Sequence, residues 1–574
     1  MLTSQLFAGD PLLESIADGG PERISRSQHR HDPAVGKVQT ALLVWDPGCL
    51  PQFGADSDYG DETAGAVRRF KIEELGVPAG QVIDDVGPQT VIRLDAIQAA
   101  AEQPPPAPAG ILVRRDVWRL QPTAAAPWDP VILAYAAAVG VLKTNAGPSP
   151  HLWWSHQTQV HGMAPDPQDG LRNQCQHNSW FFLPWHRMYI FFFEQICRSI
   201  IQGLPDVDSE VKRTWALPYW DYDRNDSNSL PPPFGEPFIE GDQTRPNPLF
   251  DAERNNGINS GSTRLSAAVT SAAGWFRATP YAARFPNGAS FGGPETGPHH
   301  FNESGSASPG PLETTPHGNV HMAVGSTGKM GDFNRAAGDP IFWLHHSNID
   351  RLWEIWRANT GQGLDPTDNR FLNQSFSFLD ATGARTTLTP AGVLDTRNQL
   401  NYVYENITVP TSAGARQGAA MPFANPQPPQ RLGSVDNVVN LVEGQPQAVD
   451  FALADFGPLV LDAVEPRRVL LSIEHITADA MPQQTYGVFL EPFGQGEGVL
   501  VGSLPLFGLA ESNAPDAEHG LSYTFDVTDI VQQMMAGNQW DVGRTWLSLR
   551  PVMEVEPQDV LANISIGSIS LMVE

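Results

Sequence analysis

The chain has 574 residues, 41% hydrophobic and 17% charged, which is apolar material for several cores and too little charge for a disordered chain. A formal net charge of -28 argues against nucleic acid or an anionic membrane surface as a partner. Only three cysteines, Cys49, Cys175 and Cys197, rule out a disulfide framework. The segment 1–24 carries Asp10, Glu14, Asp18 and Glu22 without a continuous apolar core, so it does not read as a signal peptide. The most apolar stretch, 180–190, is broken by Pro184, His186 and Arg187, which speaks against a transmembrane helix. The expectation is a soluble, cytoplasmic protein.

Two Pro-rich connectors, at 102–110 and about 410–433, divide the chain into three regions. In the first, residues 1–101, Asp61-Glu62-Thr63 lead into Ala66, Val67, Phe70 and Leu75, an acidic start followed by apolar residues at helical spacing. The run from Asp56 to Phe70, followed by Asp84-Asp85-Val86-Gly87-Pro88, resembles the peptidoglycan-binding-like three-helix module. Ser57 and Asp85 stand where that module has glycine. Peptidoglycan or glycan binding is one reading of the resemblance, and a packing or interaction module is the other.

The middle region, 111–409, holds 12 of the 15 Trp and 11 of the 15 His. His317 and His321 are four apart, which puts both on one face of a helix and within reach of one metal. Gly318 stands where a zinc protease of the HExxH type needs Glu. His345 and His346 lie in GDPIFWLHHSNIDRLWEIW, an aromatic helix. Adjacent residues diverge by about 100°, so the spacing lets only one of the two face the metal of His317 and His321. Upstream, WWSHQTQVHG and NQCQHNSWFFLPWHRMYIFFFEQ supply His161, His177 and His186, with His151 and His156 competing for the first place. Two sets of three neutral imidazoles against apolar walls suit copper in either oxidation state and leave each ion open to O2.

HNSWFFLPWHR and DPIFWLHHSNIDRLW resemble the two copper signatures of tyrosinases, polyphenol oxidases and hemocyanins. The likeness extends from Val113–Trp118 to Tyr402-Val403-Tyr404. It implies a mainly α catalytic core, a four-helix bundle around two copper ions, with His161, His177 and His186 on copper A and His317, His321 and His346 on copper B. It places His345 near the substrate. It also implies a Cys175–His177 thioether, a water-orienting carboxylate at Glu313, and Phe333 as a gate over copper B. Gly318 departs from members that hydroxylate monophenols efficiently, which often carry Asn there. O2-driven conversion of o-diphenols to o-quinones, with weak monophenol hydroxylation, is therefore expected.

The last region, 440–574, reads as short β-branched strands bounded by Gly and Pro, a β-sandwich. TYGVFLEP, VGSLPLFG, TFDVTDIV and ISIGSISL resemble the C-terminal shielding domain of plant-type polyphenol oxidases. That implies a latent full-length chain, opened by cleavage near 410–433, with Phe493 as the candidate plug. True tyrosinase or o-aminophenol oxidase activity, hemocyanin-like O2 carriage and a cell-wall-binding protein with a secondary copper site remain alternatives.

Overall fold

The structure, a computed structural model, describes all residues except 1, 3, 5, 47, 103–109, 121–126, 148, 225, 272–279, 284–289, 301–307, 361–364, 409–429, 436, 451, 454–467, 483, 494–496, 510–519, 541–545, 553–561 and 574. Most of both Pro-rich connectors lies outside the described residues. The chain divides into two compact units, Met1–Pro108 and Ala109–Glu574.

The first unit is helical, with α1 (Pro11–Ala17), α2 (Pro33–Trp45), α3 (Asp61–Glu73) and α4 (Pro88–Glu102). Asp10 and Asp32 cap α1 and α2 by accepting backbone N–H groups, and a proline follows each. Leu13, Ile16, Val38, Leu42, Val67, Phe70, Val91 and Leu94 close its core.

The second unit begins with strand β1 (Leu112–Arg114), followed by the helices α5 (Pro130–Lys143), α6 (Trp154–His161), α7 (Phe182–Gly203), α8 (Asn319–Gly325) and α9 (Ile341–Thr360). A hairpin of β2 (Phe376–Leu379) and β3 (Arg385–Leu388) precedes β4 (Tyr402–Tyr404), which pairs in parallel with β1. The first half of α7, 182–190, is buried on every side, and Gln195, Arg198, Ser199 and Gln202 give its second half a polar face. The helix packs on α9, where Phe193 stacks on Trp343 at 13°. No helix among the described residues is long and apolar enough to cross a membrane.

A buried ionic knot ties these elements together. Asp350 on α9 accepts from Arg187 Nε on α7 at 2.5 Å, from Arg114 of β1 at 3.3 Å, and from the Tyr402 and Tyr404 hydroxyls of β4 at 2.5 Å each. Arg114 also donates to Glu194 on α7 at 2.9 Å. Burial pushes the Asp350 carboxyl up, but Arg187, Arg114 and the two phenols outweigh it and hold it below the usual carboxylate value.

The remaining strands are β5 (Gln430–Val435), β6 (Val439–Val442), β7 (Gln447–Asp450), β8 (Ala452–Leu453), β9 (Val469–Ala478), β10 (Tyr486–Glu491), β11 (Val499–Leu504), β12 (Leu521–Asp526), β13 (Trp546–Pro551) and β14 (Asn563–Val573). One antiparallel sheet runs β12-β9-β14-β5-β8, with β6 also on β14. The other runs β11-β10-β13-β7. The inward faces of the two sheets share one apolar core, including Leu471, Ile473, Val488, Leu549, Ile566 and Ile569. Pairing of β5 with β14 makes 430–435 a strand of this domain, so the end of the stretch read as a connector to 433 is sheet.

Asp350→Ala would remove one of two carboxylate partners from each of two buried guanidinium groups, Arg114 keeping Glu194 and Arg187 keeping Glu354, and should cost the catalytic unit about 3 kcal/mol, read by denaturant unfolding. Because the folded-state pKa of Asp350 is depressed, its contribution is present above the unfolded carboxylate value and lost as pH falls below about 4. Wild-type stability should fall more steeply than that of Asp350→Ala in that acid range.

Candidate metal centre

Four helices and two irregular turns deliver seven histidines to one buried space. His161 ends α6, His186 lies one turn into α7, His321 is on α8, and His345 and His346 are on α9. His177 comes from the loop before α7. His317 comes from a π-helical turn, Glu313–Gly318, whose extended Thr315 re-aims the chain. The side-chain nitrogens form two groups, His161/His177/His186 and His317/His321/His345/His346, each with ligand atoms within 4.8 Å of one another. The groups meet where His186 stacks on His346, with ring centroids 4.5 Å apart at 15°.

The rings are anchored from behind. His161 Nδ1 lies 3.0 Å from the Phe333 carbonyl, His186 Nδ1 2.8 Å from that of Phe182, His317 Nδ1 3.0 Å from that of Glu313, and His321 Nδ1 2.7 Å from that of Met330. Donating Nδ1–H to a carbonyl fixes the tautomer that presents Nε2 to a metal. Four of the six expected ligand Nε2 atoms, on His161, His177, His186 and His317, are buried without a hydrogen-bond partner. The other two, on His321 and His346, face each other at 3.3 Å. Orphaned buried acceptors on this scale are costly unless a cation fills them. Burial first, and neighbouring imidazoles second, hold His161, His177, His317 and His346 well below the usual histidine pKa. Burial alone leads for His186 and His321, which fall to about 3. All six are therefore neutral ligands at neutral pH, and this donor set fits two copper ions.

His151 and His156, the competitors for the first ligand, are buried but belong to neither group. His345 approaches the second group despite its position beside His346. It differs in having one nitrogen 3.2 Å from the Tyr222 hydroxyl, a neighbour that nothing in the local sequence signals. Glu313 is buried and accepts the Asn178 N–H at 2.8 Å, while its second oxygen, without a hydrogen-bond partner, belongs to a small cavity shared with His177, His317 and Gly318. Burial pushes this carboxyl well up, opposed by the Asn178 hydrogen bond. Cys175 is buried, and its sulfur faces His300 Nδ1 at 3.2 Å.

Phe333 and Phe493, the expected gate and plug, lie in different surroundings. Phe333 has its ring 4.3 Å from His177 and 5.5 Å from His161, and it lines one small cavity together with His317, Gly318 and Phe507. The loop carrying it crosses behind α6, where its carbonyl takes the His161 proton. Phe493 is 38% exposed, with its backbone N–H bonded to the Gln539 carbonyl. Phe507 is the residue that reaches the histidines. Its ring stacks on His321 at 4.2 Å and 14°, and it also borders His317 and His177 at 5.7 and 6.1 Å. It lies in the turn Pro505-Leu506-Phe507-Gly508 that follows β11, with Gly508 at φ +85°.

The model of the common central domain of tyrosinase matches residues 152–359, and that of the polyphenol oxidase middle domain matches 365–414. The chain belongs to the tyrosinase/polyphenol oxidase family. A domain family of unknown function matches 435–574, the β-sandwich. A tyrosinase of Hahella sp. (strain CCB-MM4) is 29% identical over 77% of this chain and 97% of its own length. The chloroplastic polyphenol oxidase of Malus domestica is 30% identical, over 41% of this chain and 39% of its own length, so the match spans about two fifths of that relative. Latent apple tyrosinase shares the fold, with a TM-score of 0.51 at 21% identity over 82% of this chain and 98% of that one. Latent aurone synthase gives 0.54 at 19% identity over 82% and 90%. As a member of this family the chain is an oxidase of phenols with two copper ions as cofactors.

Copper analysis should return two ions per full-length chain and about one in either His161→Ala or His317→Ala, since removing one of three ligands opens only that site. Loss of both ions from either variant would mean that the two groups do not bind independently.

Proposed function

We propose that this oxidase converts o-diphenols to o-quinones with O2, hydroxylates monophenols weakly, and is latent as the intact chain. The observation that carries the reading is Phe507. Its ring lies face to face with His321 and edge-on to His317, over the group assigned to copper B, where a flat phenolic ring would have to enter. An aromatic side chain makes there the contacts that a substrate ring would make, so substrate must displace it. Both solved relatives, apple tyrosinase and aurone synthase, are latent forms, which agrees with this reading.

Bound copper supplies O2 binding and two-electron redox chemistry. The chain supplies the rest. Each diphenol loses two electrons and two protons, and two diphenols reduce one O2 to water. His177, His317 and Phe333 wall the small cavity beside Phe507 with aromatic surface. Glu313 stands at the rim with one free oxygen, suited to accept a phenolic proton once the site is open to water. Gly318, the residue after His317, offers no side-chain amide to help orient that water. Catechols are the more acidic substrates and need the help least. The Cys175–His177 thioether belongs to the same reading: His177 is the one member of the six whose two nitrogens both lack a hydrogen-bond partner, leaving its ring to be held in some other way.

With the C-terminal domain displaced, kcat/KM for tyramine should fall at least about ten-fold below that for the matching catechol, a difference of ~1.4 kcal/mol in barrier. Equal rates would refute the diphenol preference. Phe507→Ala in the full chain should raise untreated catechol turnover about ten-fold, on the scale of one lost aromatic stack. An unchanged ratio of untreated to protease-treated activity would remove Phe507 as the plug.

A further inference from the structure

At Gly318 the C-terminal domain meets the metal rim against a bare piece of backbone. Gly318 lies at φ -61° and ψ -34°, ordinary helical geometry that any residue adopts. Its conformation therefore does not call for glycine, and glycine is a loss to the turn it occupies. The requirement comes from across the domain boundary. A Cβ on Gly318 would stand 2.8 Å from Cβ and 3.0 Å from Cγ of Pro505, whereas its next neighbour, the Glu313 carbonyl, would be at an ordinary 3.5 Å.

Pro505 is not free to yield. Its ring has no rotamer to swing away. Its carbonyl accepts the Tyr523 hydroxyl. Two residues before it, Ser503 Oγ accepts from Asn319 Nδ2 and lies 3.0 Å from Thr315 Oγ1. Two residues after it, Phe507 is stacked on His321. The loop is pinned on both sides of the contact, so a side chain at 318 would have to lift the loop rather than push aside one flexible group.

We propose that Pro505 is a specificity determinant acting through position 318. A closed shield admits only glycine there, so the chain cannot carry a side-chain amide beside His317 and still seat Phe507. Latency and the preference for diphenols are then one steric fact read from two sides. The inference rests on the latent-oxidase reading above and deepens it.

The test uses full-length, copper-loaded Gly318→Ala, Pro505→Gly and the double variant. Hydrogen exchange of segment 499–507 reports seating of the loop. The ratio of catechol turnover before and after limited proteolysis reports latency, normalised for any effect on the metal rim. Gly318→Ala should lower exchange protection and raise the untreated share of activity, each about ten-fold, the scale of one overpacked contact. In the Pro505→Gly background the same substitution should change neither, because both clashing carbons are gone. Wild-type protection in Gly318→Ala, or an equal loss in the Pro505→Gly background, would overturn the proposal. If the wild-type chain is equally active before and after proteolysis, the latency reading falls, and the exchange data still decide the contact. Should Gly318→Ala accumulate poorly, the double variant judged against Pro505→Gly decides the same point.

Discussion

The ion pair between Arg187 and Asp350 is the constraint on which the metal centre depends. Arg187 follows His186 directly, and Asp350 lies one turn after His346. A hydrogen bond of 2.5 Å between the two charges sets the register of α7 on α9. That register brings the His186 and His346 rings into parallel contact, and so sets how far apart two ions held by them would stand. Glu194 and the tyrosines of β4 complete the knot, which returns the end of the catalytic segment to its beginning at Arg114. A buried pair is weak evidence for stability, because desolvation consumes most of the Coulombic gain. Its value here is positional: α7 and α9 cannot slip by a turn without stranding charge in the core.

The same trade appears at the histidines. Burying neutral imidazoles with unfilled nitrogens costs free energy that the apoprotein must carry, and copper binding returns it. The backbone carbonyls of Phe182, Glu313, Met330 and Phe333 limit the cost by fixing four rings before any ion arrives. Preorganisation by main-chain acceptors explains why the site can be built by short motifs. Each motif brings its ligand on a helix or turn, and two of these carbonyls lie four residues from the ring they hold, Phe182 from His186 and Glu313 from His317.

Such locality also decides what could be read from the sequence. His177, His186 and His346 were legible because they sit in two dense motifs whose aromatic neighbours announce a buried helix, and His317 and His321 because they are four apart. The strands of the C-terminal domain were legible because β-branched runs between Gly and Pro have few other fates. What stayed hidden depends on contacts between distant segments. Tyr222 meets His345 across 123 residues, and Phe507 meets His321 across 186, so neither carries a local mark. Phe493 was an equally reasonable plug by composition, a turn aromatic beside Pro and Gly. The fold separates the two, since Phe507 follows the strand whose Ser503 docks on Thr315 and Asn319, whereas the turn at Phe493 is tied to Gln539. The surroundings of Phe333 were likewise set by a loop path rather than by its own neighbours.

In the proposed latent form, the closed state is a balance of small terms. One aromatic stack, a few hydroxyl and amide hydrogen bonds, and one tight backbone contact join the shield to the metal rim, and each is worth on the order of 1 kcal/mol. A sum of that size can hold the site shut most of the time and still yield to cleavage or to modest chemical displacement. It also concentrates leverage on residues that touch both domains. Asn319 shows this most clearly: it follows Gly318, donates to the shield through Nδ2, and keeps Oδ1 buried without a partner, so opening the shield lets water reach an oxygen that the closed form leaves unsatisfied. That unpaid desolvation, next to the metal rim, favours the open form and sets a limit on how tightly this interface can close.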